Sequence, residues 1–277
     1  MIYDGKQASE KMKEALRERV ALLADKPVLA VVSIAIHPSI ISFIKIKRNF
    51  AESIGIGIEE YDFKETDTEE ILIQKIEELS QEKRVSGIIV QLPLPQSFDS
   101  QRVLDAIPEH LDVDVLGTSA WNTFVQKNNP VPPVAGAIAH ILEDTHTDIA
   151  NKNVVIIGQG KLVGLPVATW FSHSGIVPNI VTIDTDESTR LKLYKEAGII
   201  VSGIGKPASI KPEHIKDGVV ILDAGTSEQS GMIVGDCDPL CADKASVFTP
   251  VPRGIGPLTV AFLFYNLLER TENYTTR

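Results

Sequence analysis

Hydrophobic positions along the chain switch repeatedly between helical spacing and short unbroken runs. Residues 8–24 place Met12, Leu16, Val20 and Leu23 on one helical face, so an amphipathic helix is expected there. Val28–Ile36 is a nearly continuous apolar run, long enough for a strand and short for a helix. Residues 40–54 read as helix again, closed by Gly55 where helices commonly stop. Ile56–Phe63 follows as strand, Glu69–Leu79 as helix and Gly87–Val90 as a short buried strand. Strands alternating with helices imply βαβ units and a parallel sheet.

From Pro93 to Pro133 the pattern breaks into proline-rich loops around a short helix near Gln101–Ala106. Pro132 and Pro133 precede a helix at Ala135–Leu142 that bridges into a second domain. There the expected strands are Val154–Ile157, Ile180–Ile183, Ile199–Val201, Val219–Leu222 and Val247–Phe248, most joined by segments of helical length. Leu258–Leu268 is apolar on most of its surface, as a helix packed into a core would be. The expected fold class is α/β in two domains: a substrate-side βαβ domain over 1–134 and a Rossmann-like doubly wound dinucleotide-binding domain over 135–252. Residues 253–277 form a C-terminal helix returning to the first domain.

Composition narrows the function classes. Of 277 residues, 43% are hydrophobic and 23% charged, which excludes disordered and fibrous chains. No apolar run reaches the roughly 18–20 residues that span a bilayer, so no membrane partner is expected. The first residues lack the layout of an export signal, and Cys237 and Cys241 cannot build a disulfide framework; both fit a cytoplasmic location. Twenty-seven basic against 37 acidic residues give a net charge of −10, a field that repels nucleic acid.

Four places in the sequence offer chemistry. Asn153–Ile157 runs into Gly158-Gln159-Gly160, then Gly164 and Pro166, a strand, a glycine turn and a helix. Glycines there let backbone N–H groups approach a pyrophosphate at a helix N-terminus. Gln91 emerges at the carboxyl end of a parallel strand, and its amide both donates and accepts. Phe43 and Lys47 are one helical turn apart on an apolar helix; Lys47 is either a desolvated lysine of lowered pKa or a lysine snorkelling to solvent. Asp112-Val113-Asp114 sits in a loop, where a carboxylate could accept paired hydrogen bonds or simply be solvated. The histidines and cysteines lack zinc-ligand spacing, and no G-x-S-x-G elbow appears.

Taken together, these segments resemble the methylenetetrahydrofolate dehydrogenase/cyclohydrolase family over nearly the whole chain. The resemblance rests on Gly87–Pro95 (GIIVQLPLP), the turn at Gly158–Pro166, Gly203–Pro207 (GIGKP) and Thr249–Thr259 (TPVPRGIGPLT). It implies a homodimeric enzyme that oxidises 5,10-methylenetetrahydrofolate with a nicotinamide cofactor and hydrolyses the methenyl product to 10-formyltetrahydrofolate. It puts the catalytic lysine at Lys47, its glutamine partner at Gln91 and the pterin-binding aspartate at Asp114. It also implies substrate contacts at Phe43, Pro257 and Thr259, and cofactor contacts at Gly158, Gln159, Gly160, Gly164, Gly205 and Thr226, to which the residues themselves add Asp184.

The departures lie on the substrate side. The family's tyrosine is Phe43, and its serine three residues earlier is Ile40, with Ser39 adjacent. Its Gly-Phe-His-Pro is Val115-Leu116-Gly117-Thr118, its Pro-Cys-Thr-Pro is Pro132-Pro133-Val134-Ala135, and one glycine is Arg253, which would block the pocket or bind an anion. A dehydrogenase with weakened or lost hydrolysis is therefore expected, the alternative being a degenerate nucleotide- or pterin-binding protein. Asp184, with Asp186 and Glu187, would accept ribose hydroxyls and repel a 2′-phosphate, so NAD is favoured over NADP, with Lys161 as the residue that could reverse this.

Overall fold

The structure is a computed structural model and describes residues 1–34, 38–229 and 231–275, with the side chains of 38–40 and 273–275 excepted. The chain packs as two compact units. One comprises Glu10–Pro133 with Val260–Arg277, the other Met1–Ser9 with Val134–Thr259.

The first unit is built on β1 (Val28–Ile34), β2 (Gly57–Phe63) and β3 (Val85–Val90), a parallel sheet in the order β2-β1-β3. Alternate residues of β1 and β3 serve opposite faces. Leu29, Val31 and Ile89 pack with Leu16 and Val20 of α1 (Gly5–Ala21), Ile44 and Ala51 of α2 (Pro38–Ile54), and Phe264 and Leu267 of α9 (Ile255–Thr275). Ala30, Val32, Ile88 and Val90 pack with Leu72 and Ile76 of α3 (Glu69–Ser80) and Val103 of α4 (Ser100–Asp105). A strand buried on both faces reads as a solid apolar run rather than an alternation, which is why β1 stands out in the sequence. The last two residues expected in this strand, 35 and 36, lie outside the described residues.

The stretch after Pro93 holds more order than its prolines suggest. Beyond α4, α5 (Thr118–Lys127) buries Ala120 and Phe124 one turn apart, with Trp121 edge-on to Phe124 at 5.5 Å between centroids. The expectation of loops there is corrected: the helix spans only ten residues, buries only two side chains and stands within a proline-rich stretch.

In the second unit α6 (Pro133–Asp144) is followed by β4 (Val154–Ile157), α7 (Gly164–His173), β5 (Asn179–Val181), α8 (Glu187–Glu196), β6 (Ile199–Ser202), β7 (Val220–Asp223), a hairpin of β8 (Ser227–Gln229) and β9 (Met232–Val234), and β10 (Val247–Phe248). The five-stranded sheet is parallel throughout in the order β10-β7-β6-β4-β5. The order reverses between β4 and β6, the switch point outside whose carboxyl ends doubly wound sheets bind ligands. The hairpin was not anticipated. β5 also ends two residues early: Ile183 is 98% exposed, because Thr182 N–H donates to Thr185 Oγ1 (3.0 Å) and turns the chain.

Candidate active site

In the first unit, α2 is amphipathic, with Ile44, Phe50, Ala51 and Ile54 buried. Phe50 stacks on Phe264 at 5.2 Å between centroids, which fixes the rotation of the helix. Lys47 shares a face with Phe43 and Ala51 and is half-buried. Gln91 leaves β3 with its backbone N–H donated to the Val32 carbonyl (2.8 Å). Its side-chain N–H donates to the Leu92 carbonyl (3.0 Å), which turns Oε1 toward Lys47, and Lys47 Nζ donates to that oxygen at 2.9 Å. Lys47 is thus not snorkelling to solvent.

The third member comes from the loop after β3. Asp112 is fully buried, and its carboxylate accepts backbone N–H bonds from Val115 (2.9 Å), Leu116 (3.0 Å) and Gly117 (2.8 Å). Burial pushes its pKa up to about 6 against the pull of those bonds. Asn266 of α9 donates to the carbonyls of Val113 (3.0 Å) and Val131 (2.9 Å), clamping the loop from below. Asp114 is thereby held in the electrostatic field of Lys47. Burial lowers the pKa of Lys47 and raises that of Asp114, and each group opposes the other's shift. The structure therefore brings Lys47, Gln91 and Asp114 together, while Asp112 spends its carboxylate on the loop itself.

Other expected substrate-side residues are placed as follows. Phe43 is partly exposed on α2. Pro257 and Thr259 begin α9 in the second unit, where the Pro257 carbonyl accepts from Ser9 Oγ (3.0 Å) and Thr259 Oγ1 donates to the Ile255 carbonyl (3.2 Å). Arg253 takes a left-handed backbone (φ 84°), and its guanidinium donates to Asp4 (2.9 Å), so its charge already has an acidic partner. Ile40 and Ser39 have side chains outside the described residues.

At the switch point of the second unit, Gly158 follows β4 with φ 92°. A Cβ on Gly164 would stand 2.0 Å from the Gly158 carbonyl oxygen, so the first turn of α7 lies against the glycine turn only because that side chain is missing. A Cβ on Gly160 would meet nothing within 4 Å; the space above this residue is open, beside the exposed Gln159. This is a cradle that suits a pyrophosphate at the N-terminus of a ten-residue helix, and a nicotinamide dinucleotide fits it. Gly205 (φ 65°) and Thr226 lie in the loops after β6 and β7, the expected surroundings of such a ligand. Asp184 lies exposed in the turn beyond β5 rather than at the strand end. Asp186 is the N-cap of α8, accepting from Thr189 N–H (3.0 Å) and Ser188 Oγ (2.6 Å).

Two residues were missed in the sequence. Asp236, fully buried, accepts from Ser202 Oγ (2.7 Å), Ile204 N–H (2.8 Å) and Lys206 N–H (2.7 Å). Asp223 accepts from the N–H groups of Gly225 (2.9 Å), Asp236 (3.1 Å) and Cys237 (2.8 Å), and burial raises its pKa to about 6. The one available signal was an aspartate ending the buried run Val219–Leu222.

Among the described residues no helix is long and apolar enough to cross a membrane, and no cluster of three or more His, Cys, Asp or Glu could hold a metal ion.

Residues 3–114 match the catalytic domain of tetrahydrofolate dehydrogenase/cyclohydrolase, and residues 132–275 match the NAD(P)-binding domain of the same family. The chain belongs to the tetrahydrofolate dehydrogenase/cyclohydrolase family. A bifunctional FolD protein of Nautilia profundicola is 32% identical over 99% of this chain and 98% of its own. The bifunctional FolD methylenetetrahydrofolate dehydrogenase/cyclohydrolase structure from Campylobacter jejuni superposes with a TM-score of 0.94 at 30% identity, covering 99% of each chain. The Trypanosoma brucei methylenetetrahydrofolate dehydrogenase-cyclohydrolase, solved with NADP cofactor and an inhibitor, gives 0.94 at 28% identity over 100% of this chain and 99% of its own. The α/β two-domain fold of the family is the fold of this chain.

Proposed function

We propose that this family member oxidises 5,10-methylenetetrahydrofolate to the methenyl derivative with a nicotinamide dinucleotide and hydrolyses that product to 10-formyltetrahydrofolate. The observation that carries the reading is Lys47 bound to Gln91 beside Asp114, within the segment that matches the family's catalytic domain. In the hydrolysis a water oxygen bonds to the one-carbon bridge and the bridge's bond to one nitrogen breaks. One proton of the water ends on the freed nitrogen and the other leaves to solvent. Lys47, made less basic by burial, takes a proton as the C–O bond forms and returns one to the departing nitrogen. Gln91 holds Nζ in place, and Asp114 accepts the paired N–H groups of the pterin edge. Phe43, one turn before Lys47 on α2, adds a substrate contact, and the family resemblance assigns further substrate contacts to Pro257 and Thr259. The Gly158–Gly164 turn would hold the pyrophosphate of a nicotinamide dinucleotide, which would supply the hydride acceptor for the one-carbon bridge. The chain's own task in that step is to orient the reactants.

An absorbance assay with methylenetetrahydrofolate and each nicotinamide cofactor, following reduced cofactor and methenyl product separately, tests this reading. Both activities are expected. Dinucleotide binding with neither activity would support a degenerate binding protein instead. Phe43 lacks the hydroxyl of the family's tyrosine, so hydrolysis is expected to be the weaker activity. Phe43→Tyr should raise it about tenfold if one hydrogen bond of about 1–1.5 kcal/mol is restored. No gain in a folded variant would count against a role for this position.

The same reading favours NAD over NADP. Asp184 and Glu187 are exposed in the segment beyond β5, and β5 adjoins the glycine turn through Gly158 N–H donated to the Val181 carbonyl (2.8 Å). Carboxylates there suit ribose hydroxyls and repel a 2′-phosphate. Calorimetric titration with each oxidised cofactor should show tighter binding of NAD, narrowed in Asp184→Ala; tighter NADP binding, through Lys161 for example, would overturn the preference. A net charge of −10 and two buried cysteines support a cytoplasmic enzyme without nucleic-acid partners. Its partners are tetrahydrofolate one-carbon derivatives and, as the family resemblance implies, a second copy of the chain.

A further inference from the structure

The loop that follows β6 has an unusual support. Ser202 ends the strand, and Gly203, Ile204, Gly205 and Lys206 follow. One buried carboxylate, that of Asp236, takes the Ser202 hydroxyl and the Ile204 N–H on one oxygen and the Lys206 N–H on the other, drawing the loop around itself. The loop after β7 is shaped by the same group: a Cβ on Gly225 would lie 2.2 Å from Asp236 Cγ, so only glycine passes there. Asp223 completes the brace from behind, gathering the N–H groups of Gly225 and Asp236 on one carboxylate oxygen, while its own N–H donates to Thr249 Oγ1 (2.7 Å).

This braced loop is in contact with the glycine turn. A Cβ on Gly158 would come within 2.7 Å of Ile204 Cγ2, and one on Gly203 within 2.5 Å of Val163 Cγ1. A shift of Ile204 is therefore passed to the turn after β4. The two loops flank the switch point between β4 and β6, where a dinucleotide would lie.

We propose that Asp236 is a positioning residue for dinucleotide binding: it fixes Ile204–Lys206 against the Gly158 turn so that the crevice at the switch point is preformed. This rests on the dehydrogenase reading above. An asparagine of the same shape offers one acceptor oxygen in place of two and leaves one of the loop N–H groups unpaired. Asp236→Asn is thus expected to raise the Kd and KM for NAD about tenfold, with kcat changed less than about threefold, as loss of prepaid positioning rather than of chemistry. Hydrolysis of methenyltetrahydrofolate, which consumes no dinucleotide, should stay at the parent rate.

Calorimetry with NAD and steady-state kinetics of both activities read the result. Unchanged Kd and KM would overturn the proposal, as would a parallel fall of both activities, which marks general structural damage. Should Asp236→Asn fail to fold, Ser202→Ala removes one support of the carboxylate and is expected to weaken NAD binding about two- to threefold; no weakening would overturn the proposal. A parent protein that binds no dinucleotide would instead defeat the dehydrogenase reading itself.

Discussion

Lys47→Met is expected to abolish methenyl hydrolysis while leaving the melting temperature within a few degrees of the parent. Burial lowers the pKa of this lysine beside the Asp114 carboxylate, and general acid–base groups of this kind contribute roughly 10²–10⁴-fold. Methionine keeps an unbranched stem on the face shared with Phe43 and Ala51, and the desolvation cost it removes offsets the cation lost to Asp114. The Gln91 amide loses a donor but keeps its bond to the Leu92 carbonyl. Decay of the methenyl absorbance, read beside a thermal melt, checks both halves of the expectation. A variant that melts normally and hydrolyses at the parent rate would remove Lys47 from the chemistry.

The second large effect is expected at the glycine turn. Gly160 faces open space, so Gly160→Val meets no protein atom at its Cβ and should fold as the parent does. The valine side chain would stand in the space a pyrophosphate needs, and the dehydrogenase kcat/KM should fall by on the order of 100-fold or more, since small misplacements of reactants cost that much. Hydrolysis should persist. Gly164→Ala is the contrasting control: its Cβ would lie 2.0 Å from a carbonyl oxygen on a rigid turn, so stability and both activities should suffer together. Loss of hydrolysis in a well-folded Gly160→Val would contradict this assignment of the turn.

What the sequence made legible follows from what leaves a mark on side-chain chemistry. β1 and β3 are visible because strands covered on both faces form nearly continuous apolar runs, broken in β1 only by Ser33 and in β3 only near its start by Ser86 and Gly87. The end of β5 is not visible, because Ile183 prolongs a β-branched run while the turn is made by the hydroxyl of Thr185 and the cap at Asp186. Nor is α5, whose burial rests on two side chains. At the candidate site, the glycine turn was legible because glycine at such spacing has few other uses. Lys47 and Gln91 each looked ordinary alone; 44 residues separate them, and only the packing of α2 beside the sheet makes them partners. Asp112 read equally as a solvated loop acid, and Asp223 and Asp236 did not stand out, because their partners are mostly backbone N–H groups, which every residue but proline supplies and no sequence pattern records.

Carboxylates bonded to backbone leave the neighbouring side chains free to vary. The Asp112 carboxylate takes the N–H of positions 115, 116 and 117 and asks nothing of their side chains. Val115, Leu116 and Gly117, standing where the family resemblance implies Gly-Phe-His, all keep these bonds, although Val115 takes a left-handed backbone (φ 60°) that favours glycine. At position 118 the exchange runs the other way: proline has no N–H to give, whereas Thr118 donates its N–H to Asp105 (2.7 Å) and its hydroxyl to the same carboxylate (3.1 Å). Where the family resemblance implies a ring that stiffens the chain, this chain has a tether to Asp105. The loop's shape is carried by the Asp112 carboxylate and the Asn266 amide, both bonded to backbone, so the side chains at 115–117 are left open to mutation.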